Sequence, residues 1–337
     1  MIVTDLLIIG PTGGTHIAGS FARAAGELGL SHELHDTSPA YQGPRLARSL
    51  VWRLGGKKPY RLNDFSLGVG QLIASRRFRR LLAVGQAPIK ADVLAWARAK
   101  GIECLVFATD DPFNPAHRAD WFLDSLPQYD RVFTPRRANI IDLQSIGCRA
   151  VDYLPFGFDP SLFPAGASKE NGSTAGKVLF VGGADQDRIA FMTSFIEAGG
   201  SPELAGAYWD RHETMKLFAV GSKLPEELCR LTASAAVNLC LVRRANRDGH
   251  VMRSFEIPAV GGFLLAEDTA EHREIFGEEG TAALYFATAT EAAEKAKWAI
   301  AHPAERAAMA RAAHHLITSG GNTYKDRLSA MLRLVKA

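Results

Sequence analysis

The sequence lacks a long apolar run, paired cysteines and a strong net charge. No stretch reaches the ~18 to 20 consecutive apolar residues that a membrane-spanning helix needs. The four cysteines are scattered without a C-x-x-C pair, and the N-terminus lacks the cationic and apolar regions of a signal peptide. Together these absences predict a reduced, cytoplasmic protein. The formal charge of +3 is too small to indicate a nucleic-acid partner.

The remaining composition is that of a globular protein with more than one core. With 337 residues, 47% of them hydrophobic, the chain exceeds the usual size of a single core, so two domains are expected. Short apolar runs alternate with segments of helical spacing, which predicts repeated β-α-β units and doubly wound parallel sheets. Three prolines in 155–164, followed by the small and polar residues 165–176, mark the boundary.

A glycine loop follows the first predicted strand of each half. In the first half, Gly13 and Gly14 precede His16, which begins the predicted helix. Bare amides at such a helix start favour an anion or a sugar, although the glycine order is not the G-x-G-x-x-G of dinucleotide sites. His16 is interpreted as a substrate contact or a base; the alternative is a solvated histidine at a helix start.

The second glycine loop adds a guanidinium. The strand 177–181 runs into Gly182 and Gly183, and Arg188 lies just inside the next predicted helix. Helix amides together with an arginine suit a diphosphate, because charge-assisted bonds to phosphate are strong and can be bidentate.

Two adjacent acids follow the strand 104–108. Asp110 and Asp111 occupy the carboxyl end of that strand, where ligands bind in parallel sheets. Because they are adjacent, they do not form the D-x-D pattern that holds a metal-bound diphosphate. One of them is interpreted as orienting an acceptor hydroxyl, and the alternative is a turn or helix-cap acid.

The junction 248–262 concentrates polar residues at one predicted helix start. Glu256 is interpreted as a ribose ligand and Arg253 as a diphosphate ligand, with Asp248 and His250 near the sugar. The alternative is a salt bridge at the start of a helix, since helix N-termini attract acids anyway.

The segment 42–61 is basic and amphipathic. It could lie weakly on an anionic membrane surface, contact an anionic acceptor, or be a solvated face. The cluster 76–80, predicted to precede a strand, leaves the same alternatives open.

Several of these pieces resemble GT-B glycosyltransferases. The most specific is R-S-F-E-I-P-A-V-G-G-F-L-L-A-E; weaker ones are D-D-P, Y-D-R-V-F-T, Y-L-P-F-G-F-D-P-S-L-F, F-V-G-G and N-T-Y-K-D-R. The nearest group is the CgeB-like, spore-protein-like branch related to glycosyltransferase family 4. The resemblance implies an α/β fold with two Rossmann-like lobes facing a central cleft. It also implies an acceptor lobe 1–164, a linker 165–176, a nucleotide-sugar lobe 177–318 and a helix 319–337 that crosses back to the first lobe.

The resemblance also implies roles for individual residues. Glu256 falls on the second carboxylate of the family's E-x7-E pattern, and Asp248 replaces the first. A second family lysine on the phosphates is missing, and Arg253 would substitute for it. The predicted residues are, for catalysis, His16, Asp110, Asp248 and His250; for the nucleotide sugar, Gly182, Gly183, Arg188, Arg253, Glu256 and Gly261; and on the acceptor side, Gly13, Gly14 and Asp111.

The predicted activity is transfer of a sugar from a UDP-, GDP- or dTDP-linked donor to a glycan, protein or small-molecule acceptor. The resemblance implies a retaining, metal-independent reaction without a permanently bound cofactor. Two alternatives stay open. One is a nucleotide-sugar epimerase of the same architecture, and the other is a non-catalytic nucleotide- or sugar-binding module, such as a spore-coat component.

Overall fold

The structure is a computed structural model that describes residues 3–164 and 176–334. The chain divides into two compact units. Of the described residues, unit 1 comprises 3–155, 244–247 and 324–334, and unit 2 comprises 156–164, 176–243 and 248–323. Among the described helices, none has the length and apolar character needed to cross a membrane.

Unit 1 is built on a six-stranded parallel sheet with the order β2-β1-β3-β4-β5-β6. Its strands are β1 (Val3–Gly10), β2 (His32–Asp36), β3 (Arg77–Val84), β4 (Glu103–Phe107), β5 (Arg131–Thr134) and β6 (Val151–Tyr153). Its helices are α1 (Ile17–Glu27), α2 (Arg45–Leu54), α3 (Leu62–Ser75), α4 (Ala91–Ala99), α5 (Asp120–Ser125), α6 (Asn139–Ser145) and, at the end of the chain, α13 (Tyr324–Leu334).

Unit 2 repeats this plan with the order β12-β11-β10-β7-β8-β9. Its strands are β7 (Val178–Val181), β8 (Pro202–Ala205), β9 (Ala219–Gly221), β10 (Val237–Cys240), β11 (Leu264–Glu267) and β12 (Leu284–Phe286). Its helices are α7 (Gln186–Glu197), α8 (Pro225–Ser234), α9 (Arg253–Ala259), α10 (Ala270–Phe276), α11 (Ala289–Ala301) and α12 (Pro303–Ser319).

Both strand orders contain a point where the chain reverses its direction across the sheet. In unit 1 the chain moves from β1 to β2 on one side and then returns to β3 on the other. In unit 2 the equivalent neighbours are β7 and β10. Since crossovers between parallel strands are right-handed, the reversal places helices on both faces, and ligands bind at the carboxyl ends beside it. The predicted α/β fold with two Rossmann-like lobes is confirmed.

Small residues allow the first helix to approach the sheet closely. A Cβ atom at Gly10 would lie 2.6 Å from the Cβ atom of Ala18, so any larger residue would push α1 away from β1. The C-terminal helix packs against the same helix, with the rings of Phe21 and Tyr324 5.3 Å apart in an edge-to-face arrangement. The expected return of this helix to the first lobe is therefore observed.

The basic cluster 76–80 differs from its prediction, because most of it lies within β3 and not before it. Phe78 is buried while its neighbours reach solvent, as expected from the two-residue period of a strand. Arg80 Nε lies 2.7 Å from Glu103 Oε2 on the adjacent strand. Such cross-strand ion pairs make arginines compatible with this strand, and a pattern search for apolar runs does not detect them.

Along the chain, the division between the two units falls between Pro155 and Phe156. The lobe bounds 1–164 and 177–318 stay predictions. The predicted linker 165–176 lies outside the described residues, except for Gly176. The sequence analysis contained no sign that residues 244–247, in the middle of the second half, belong to unit 1.

A buried carboxylate holds the segment 244–247 in unit 1. Asp111 is only 1% exposed, and its Oδ2 accepts a hydrogen bond from Arg247 Nε at 2.7 Å. Its Oδ1 accepts from the side-chain amide of Asn139 at 2.7 Å. A second guanidinium nitrogen of Arg247 donates to Asp142 at 2.7 Å. Asp111 thus joins a strand end, α6 and the inserted segment.

We predict that Asp111→Ala destabilises the protein by about 3 kcal/mol, because it leaves Asn139 and the Arg247 guanidinium without their buried acceptor. Urea unfolding followed by circular dichroism measures the change. The matched control is Asp120→Ala, whose side chain is 81% exposed and should change the free energy of unfolding by less than about 0.5 kcal/mol. Equal midpoints for the two variants would contradict a structural role for Asp111.

Candidate functional site

The glycine loop after β7 surrounds a guanidinium. A Cβ atom at Gly182 would lie 2.9 Å from the ring of Phe180 and 3.3 Å from Arg188 Nη1. The missing side chain therefore makes room for Arg188, whose guanidinium carbon lies 5.4 Å from the centre of the Phe180 ring. Glycine is needed at this position because a side chain would displace the arginine.

Three hydrogen bonds fix this loop. Trp209 Nε1 donates to the carbonyl of Gly182 at 2.7 Å, and Arg188 Nη1 donates to the carbonyl of Gly183 at 2.9 Å. Asp185 begins α7 as its N-cap, and its carboxylate accepts from the backbone N–H of Arg188 at 2.9 Å. The arginine is therefore positioned before any ligand arrives.

The charge of Arg188 is only partly balanced. Its side chain is 12% exposed, and within the described part of the chain its Nε is buried without a hydrogen-bond partner. Burial lowers the pKa of Arg188, and the nearby positive charge of Arg243 lowers it further. The carboxylates of Asp185 and Asp248 oppose this shift. A buried cation with an unsatisfied donor, close to a second cation, favours an anionic ligand.

Sheet topology explains why Arg188 and Arg243 lie together. β7 and β10 are hydrogen-bonded neighbours, so the loops at their carboxyl ends emerge side by side. Arg188 follows the first strand and Arg243 follows the second. Arg243 was not among the residues predicted from the sequence. Its position at the carboxyl end of a strand was the available signal.

Not every predicted amide is available to a ligand. The Gly182 N–H donates to the carbonyl of Ala205 at 2.8 Å, and the Ala184 N–H donates to that of Ala207 at 2.9 Å. Both bonds tie the loop to the end of β8. The Gly183 amide lies between these two and is a candidate donor to an anion.

Arg253 and Glu256 form an ion pair within the first turn of α9. Glu256 is buried, and burial raises the pKa of its carboxyl group, whereas the charge and hydrogen bond of Arg253 lower it. Asp159, another buried acid, adds a smaller rise. This pair is the arrangement expected from the alternative of a helix-start salt bridge. The assignments of Glu256 to ribose and Arg253 to phosphate stay predictions.

Both ring nitrogens of His250 are engaged. Nε2 accepts a hydrogen bond from the backbone N–H of Phe156 at 3.2 Å, so the ring proton lies on Nδ1, 2.5 Å from Glu271 Oε2. The ring is buried and contacts the ring of Phe255 edge-on at 5.5 Å. A neutral histidine oriented by a carboxylate is what this geometry requires. Glu271 was missed in the sequence analysis because its partner is 21 residues distant.

A second buried histidine holds the start of α9. Ser254 Oγ lies 2.8 Å from His272 Nε2, and His272 Nδ1 lies 2.7 Å from the carbonyl oxygen of Glu267. Because a carbonyl only accepts, the proton is on Nδ1 and the serine hydroxyl donates to Nε2. The same hydroxyl accepts from the N–H of Val251 at 3.1 Å. Neither Ser254 nor His272 was among the predicted residues.

The first glycine loop, in unit 1, is open. Gly13 and Gly14 have positive φ angles of 85° and 51°, and nothing lies within 4 Å of where their Cβ atoms would stand. His16 is the exposed N-cap of α1 and makes no side-chain cap bond. The carboxylate of Asp36 instead supports the loop, accepting from the Thr12 N–H at 3.2 Å. The predicted residues Gly13, Gly14 and His16 therefore share one loop that is open to solvent.

The two adjacent acids after β4 differ in their surroundings. Asp111 is buried within the hydrogen bonds described above. Asp110 Oδ1 accepts from the Asn246 side chain at 3.2 Å, and Asn246 also accepts from Asn114 at 2.7 Å. The acceptor roles of both acids stay predictions, and the structural role of Asp111 favours the turn-acid alternative.

Within unit 2, the structure brings together three of the predicted nucleotide-sugar residues, Gly182, Gly183 and Arg188, with Asp248 close to the arginine. Gly261 has a different structural role. It follows the C-cap of α9 and has a φ angle of 79°. Its positive φ is a requirement of the turn after α9, and its place at the nucleotide sugar stays a prediction.

Residues 188–333, which begin at the arginine of the glycine loop, match a family model described as glycosyl transferase-like. No curated protein matches the chain by sequence. Among solved structures, sucrose-phosphate synthase from Thermosynechococcus elongatus is similar with a TM-score of 0.70 and 12% identity, covering 98% of each chain. HepE from Anabaena in complex with UDP-glucose has a TM-score of 0.66 and 13% identity, covering 99% of this chain and 100% of its own. The fold is GT-B.

The GT-B fold also occurs in a third neighbour of different activity. A protein described as a UDP-N-acetylglucosamine 2-epimerase from Listeria monocytogenes has a TM-score of 0.56 and 12% identity, covering 98% of this chain and 95% of its own. At such identities the likeness concerns the fold alone. The family match and the GT-B fold together support sugar transfer. The CgeB-like and family 4 subgroups stay predictions.

In residues 3–164 and 176–334, no group of three or more His, Cys, Asp or Glu side chains is arranged to hold a metal ion. Metal independence stays a prediction.

The buried His272 predicts a specific dependence of stability on pH. Burial lowers its pKa from 6.5 to about 4, so the unfolded chain binds a proton between these values that the folded chain does not. Stability is therefore lost as pH falls from 6.5 to 4, by on the order of 3 kcal/mol from this group. We predict that His272→Gln reduces the slope of unfolding free energy against pH in this window. Urea unfolding at several pH values measures it.

The matched control is His315→Gln, at an exposed position of α12, which should leave the slope unchanged. Identical slopes for the wild type and His272→Gln would show that His272 is not the group responsible.

Proposed function

We propose that this protein is a glycosyltransferase that binds the diphosphate of a nucleotide-sugar donor at Arg188 and the Gly182–Gly183 loop. The observation that carries the proposal is the buried, unpartnered Nε of Arg188 at the start of the family-matched segment. The GT-B fold supports it, because this loop leaves the carboxyl end of β7 beside the reversal point of the sheet.

The electrostatics of the loop suit a diphosphate leaving group. Arg188 and Arg243 repel each other, and a diphosphate between them would convert this repulsion into two charge-assisted attractions. During transfer, negative charge develops on the departing phosphate. Donors that are already positioned stabilise that charge without reorganising, which is how such sites lower a barrier. The Gly183 amide would add a neutral donor.

We propose that Glu256 accepts hydrogen bonds from the donor ribose and that Arg253 positions it. A carboxylate must be ionised to accept from two hydroxyls, and burial alone raises the pKa of Glu256. The paired guanidinium opposes this rise in pKa and favours the charged form. The structure thereby suggests a positioning role for Arg253 in place of the direct phosphate contact expected from the family pattern.

We propose that His250 acts through position and not as a base. Its Nε2 already accepts from Phe156 and its Nδ1 proton is directed at Glu271, so taking up a further proton would break the first bond. Asp248 lies close enough to Arg188 to affect its pKa and is the better candidate for contact with the transferred sugar.

On the acceptor side we propose the open loop of unit 1, where His16 is exposed beside Gly13 and Gly14. The identity of the acceptor, the retaining stereochemistry and the family 4-like subtype belong to the proposal. HepE was solved with UDP-glucose, which makes a uridine donor the first to test.

We predict that one of UDP, GDP, dTDP and ADP raises the melting temperature of the wild type, since a ligand at 100 times its Kd stabilises the folded state by about 2.7 kcal/mol.

We predict that Arg188→Ala weakens the binding of that nucleotide at least tenfold in calorimetry, because it removes a charge-assisted bond worth about 1.5–3 kcal/mol. The exposed Arg311→Ala of α12 is the matched control. Undiminished binding by a folded Arg188→Ala would overturn the assignment.

The nucleotide found in this way also separates the alternatives. Incubating the corresponding nucleotide sugar without an acceptor and following it by NMR would reveal an epimer if the protein is an epimerase. Slow release of free sugar, or transfer to an added acceptor, supports a transferase. Binding without any turnover supports the non-catalytic module.

We predict that the wild type binds UDP more tightly than 2′-deoxy-UDP and that Glu256→Gln removes most of this preference. The reason is that a neutral amide is a weaker acceptor for ribose hydroxyls than a carboxylate. Calorimetric Kd values for both nucleotides with both proteins give the coupling free energy between the Glu256 carboxylate and the 2′-hydroxyl. The control is Glu278→Gln, whose side chain is 91% exposed. An unchanged preference in Glu256→Gln would exclude Glu256 as the ribose ligand. If UDP does not bind, the nucleotide identified by thermal shift and its 2′-deoxy form replace the pair.

A further inference from the structure

We propose that α2 and the residues that follow it dock this protein on an anionic lipid bilayer, with the leucines of α2 entering the headgroup region. The proposal rests on the exposed side chains of unit 1 and is independent of the glycosyltransferase assignment. It selects one of the alternatives that the basic segment 42–61 leaves open.

The apolar stripe of α2 faces solvent. Leu46, Leu50 and Leu54 follow one another at intervals of four residues, so they lie along one side of the helix. Their exposed fractions are 86%, 60% and 79%. Along the whole of this fully described helix, no residue is buried. Amphipathic helices in globular proteins normally turn such a stripe towards the core.

The charge around this stripe has one sign. Between Asp36 and Asp64 the chain contains six cationic side chains and no acidic one. They are Arg45, Arg48, Arg53, Lys57, Lys58 and Arg61. A helix with an exposed leucine stripe and flanking arginines has the character of helices that lie in a membrane interface, where cations are attracted to an anionic leaflet.

A cationic hollow adjoins the C-terminal end of α2. It has a volume of about 500 Å³ and is lined by Trp52, Arg53, Gly56, Lys57, Pro115, Arg118 and Asp120. Lys57 Nζ donates to the carbonyl of Pro115, and the carbonyl of Lys57 lies 3.4 Å from Trp121 Nε1, so the hollow is held in shape. Arginines and a tryptophan around a preformed space suit the phosphate of a lipid headgroup, because tryptophan prefers the interfacial layer.

Charge complementarity decides the occupant. A second copy of the chain seated on α2 through the same surface would bring six further cations against the first six, which opposes association. A neutral bilayer would accept the leucines but would not balance the arginines. An anionic bilayer satisfies both, since the leucines are transferred from water and the cations meet lipid phosphates.

We predict that the full chain co-sediments with vesicles of phosphatidylcholine and phosphatidylglycerol at 70:30 and not with phosphatidylcholine alone. The triple variant Leu46→Ser, Leu50→Ser, Leu54→Ser should lower the partition coefficient at least tenfold, because three apolar contacts are lost. The triple variant Arg45→Gln, Arg48→Gln, Arg53→Gln should do the same and should reduce the sensitivity to salt between 50 and 300 mM, because three of the six cations are lost.

The matched control is the double variant Leu217→Ser, Leu224→Ser, whose side chains in unit 2 are also largely exposed. It should bind vesicles like the wild type, and thermal unfolding confirms that all variants are folded. Equal binding by the α2 variants and the control, or no binding by the wild type, overturns the proposal. Self-association that depends on the three leucines, without vesicle binding, would assign the stripe to a second copy and also overturn it.

Discussion

Parallel pairing of the strands is the constraint on which the rest of the structure depends. All ten pairings between the named strands are parallel, so every connection must cross from one end of its sheet to the other. The covering helices leave the strands buried and apolar, and polar residues collect in the loops at the carboxyl ends. In unit 2 these ends carry Arg188 and Arg243, and in unit 1 they carry His16 and Asp110. Backbone geometry therefore places these candidate residues at one edge of each sheet.

The second determinant is how each unit compensates a buried charge. Asp111 is compensated completely within unit 1, where a guanidinium, an amide and a backbone N–H all donate to it. Arg188 is compensated only in part, because burial and the neighbouring Arg243 both act against its charge. A satisfied buried charge stabilises a fold, whereas an unsatisfied one costs free energy that a ligand of opposite sign can recover. The proposal that Arg188 binds an anion, whereas Asp111 is structural, rests on this difference.

Much of the fold follows from local sequence, because a buried parallel strand is an apolar run and a helix has apolar residues at intervals of three and four. The glycine loops were also predictable, since Gly182 directly follows such a run and Gly13 lies three residues after the end of β1. Long-range partners were not. No local pattern around Arg247 predicts its ion pair with Asp111, which lies 136 residues earlier in the chain. The assignment of 244–247 to unit 1 therefore required the structure. The arginines of β3 were placed before the strand for the same reason, since their carboxylate partners lie on other strands.

For the candidate site, residue types were easier to predict than their pairing. Arg253 and Glu256 were recognised from their position at a helix start, but their ion pair changes what each is free to do. For α2, periodicity predicted an apolar face without its direction, because a helix wheel shows only which residues lie together. The absence of acids between Asp36 and Asp64 was the missing clue. A helix that packs on a protein core rarely carries three arginines around its apolar stripe, as α2 does, with three further cations directly after it. Burying those charges would cost more free energy than burial of the leucines would contribute. Local charge, and not the overall +3, therefore indicates which surface this protein offers to an anionic partner.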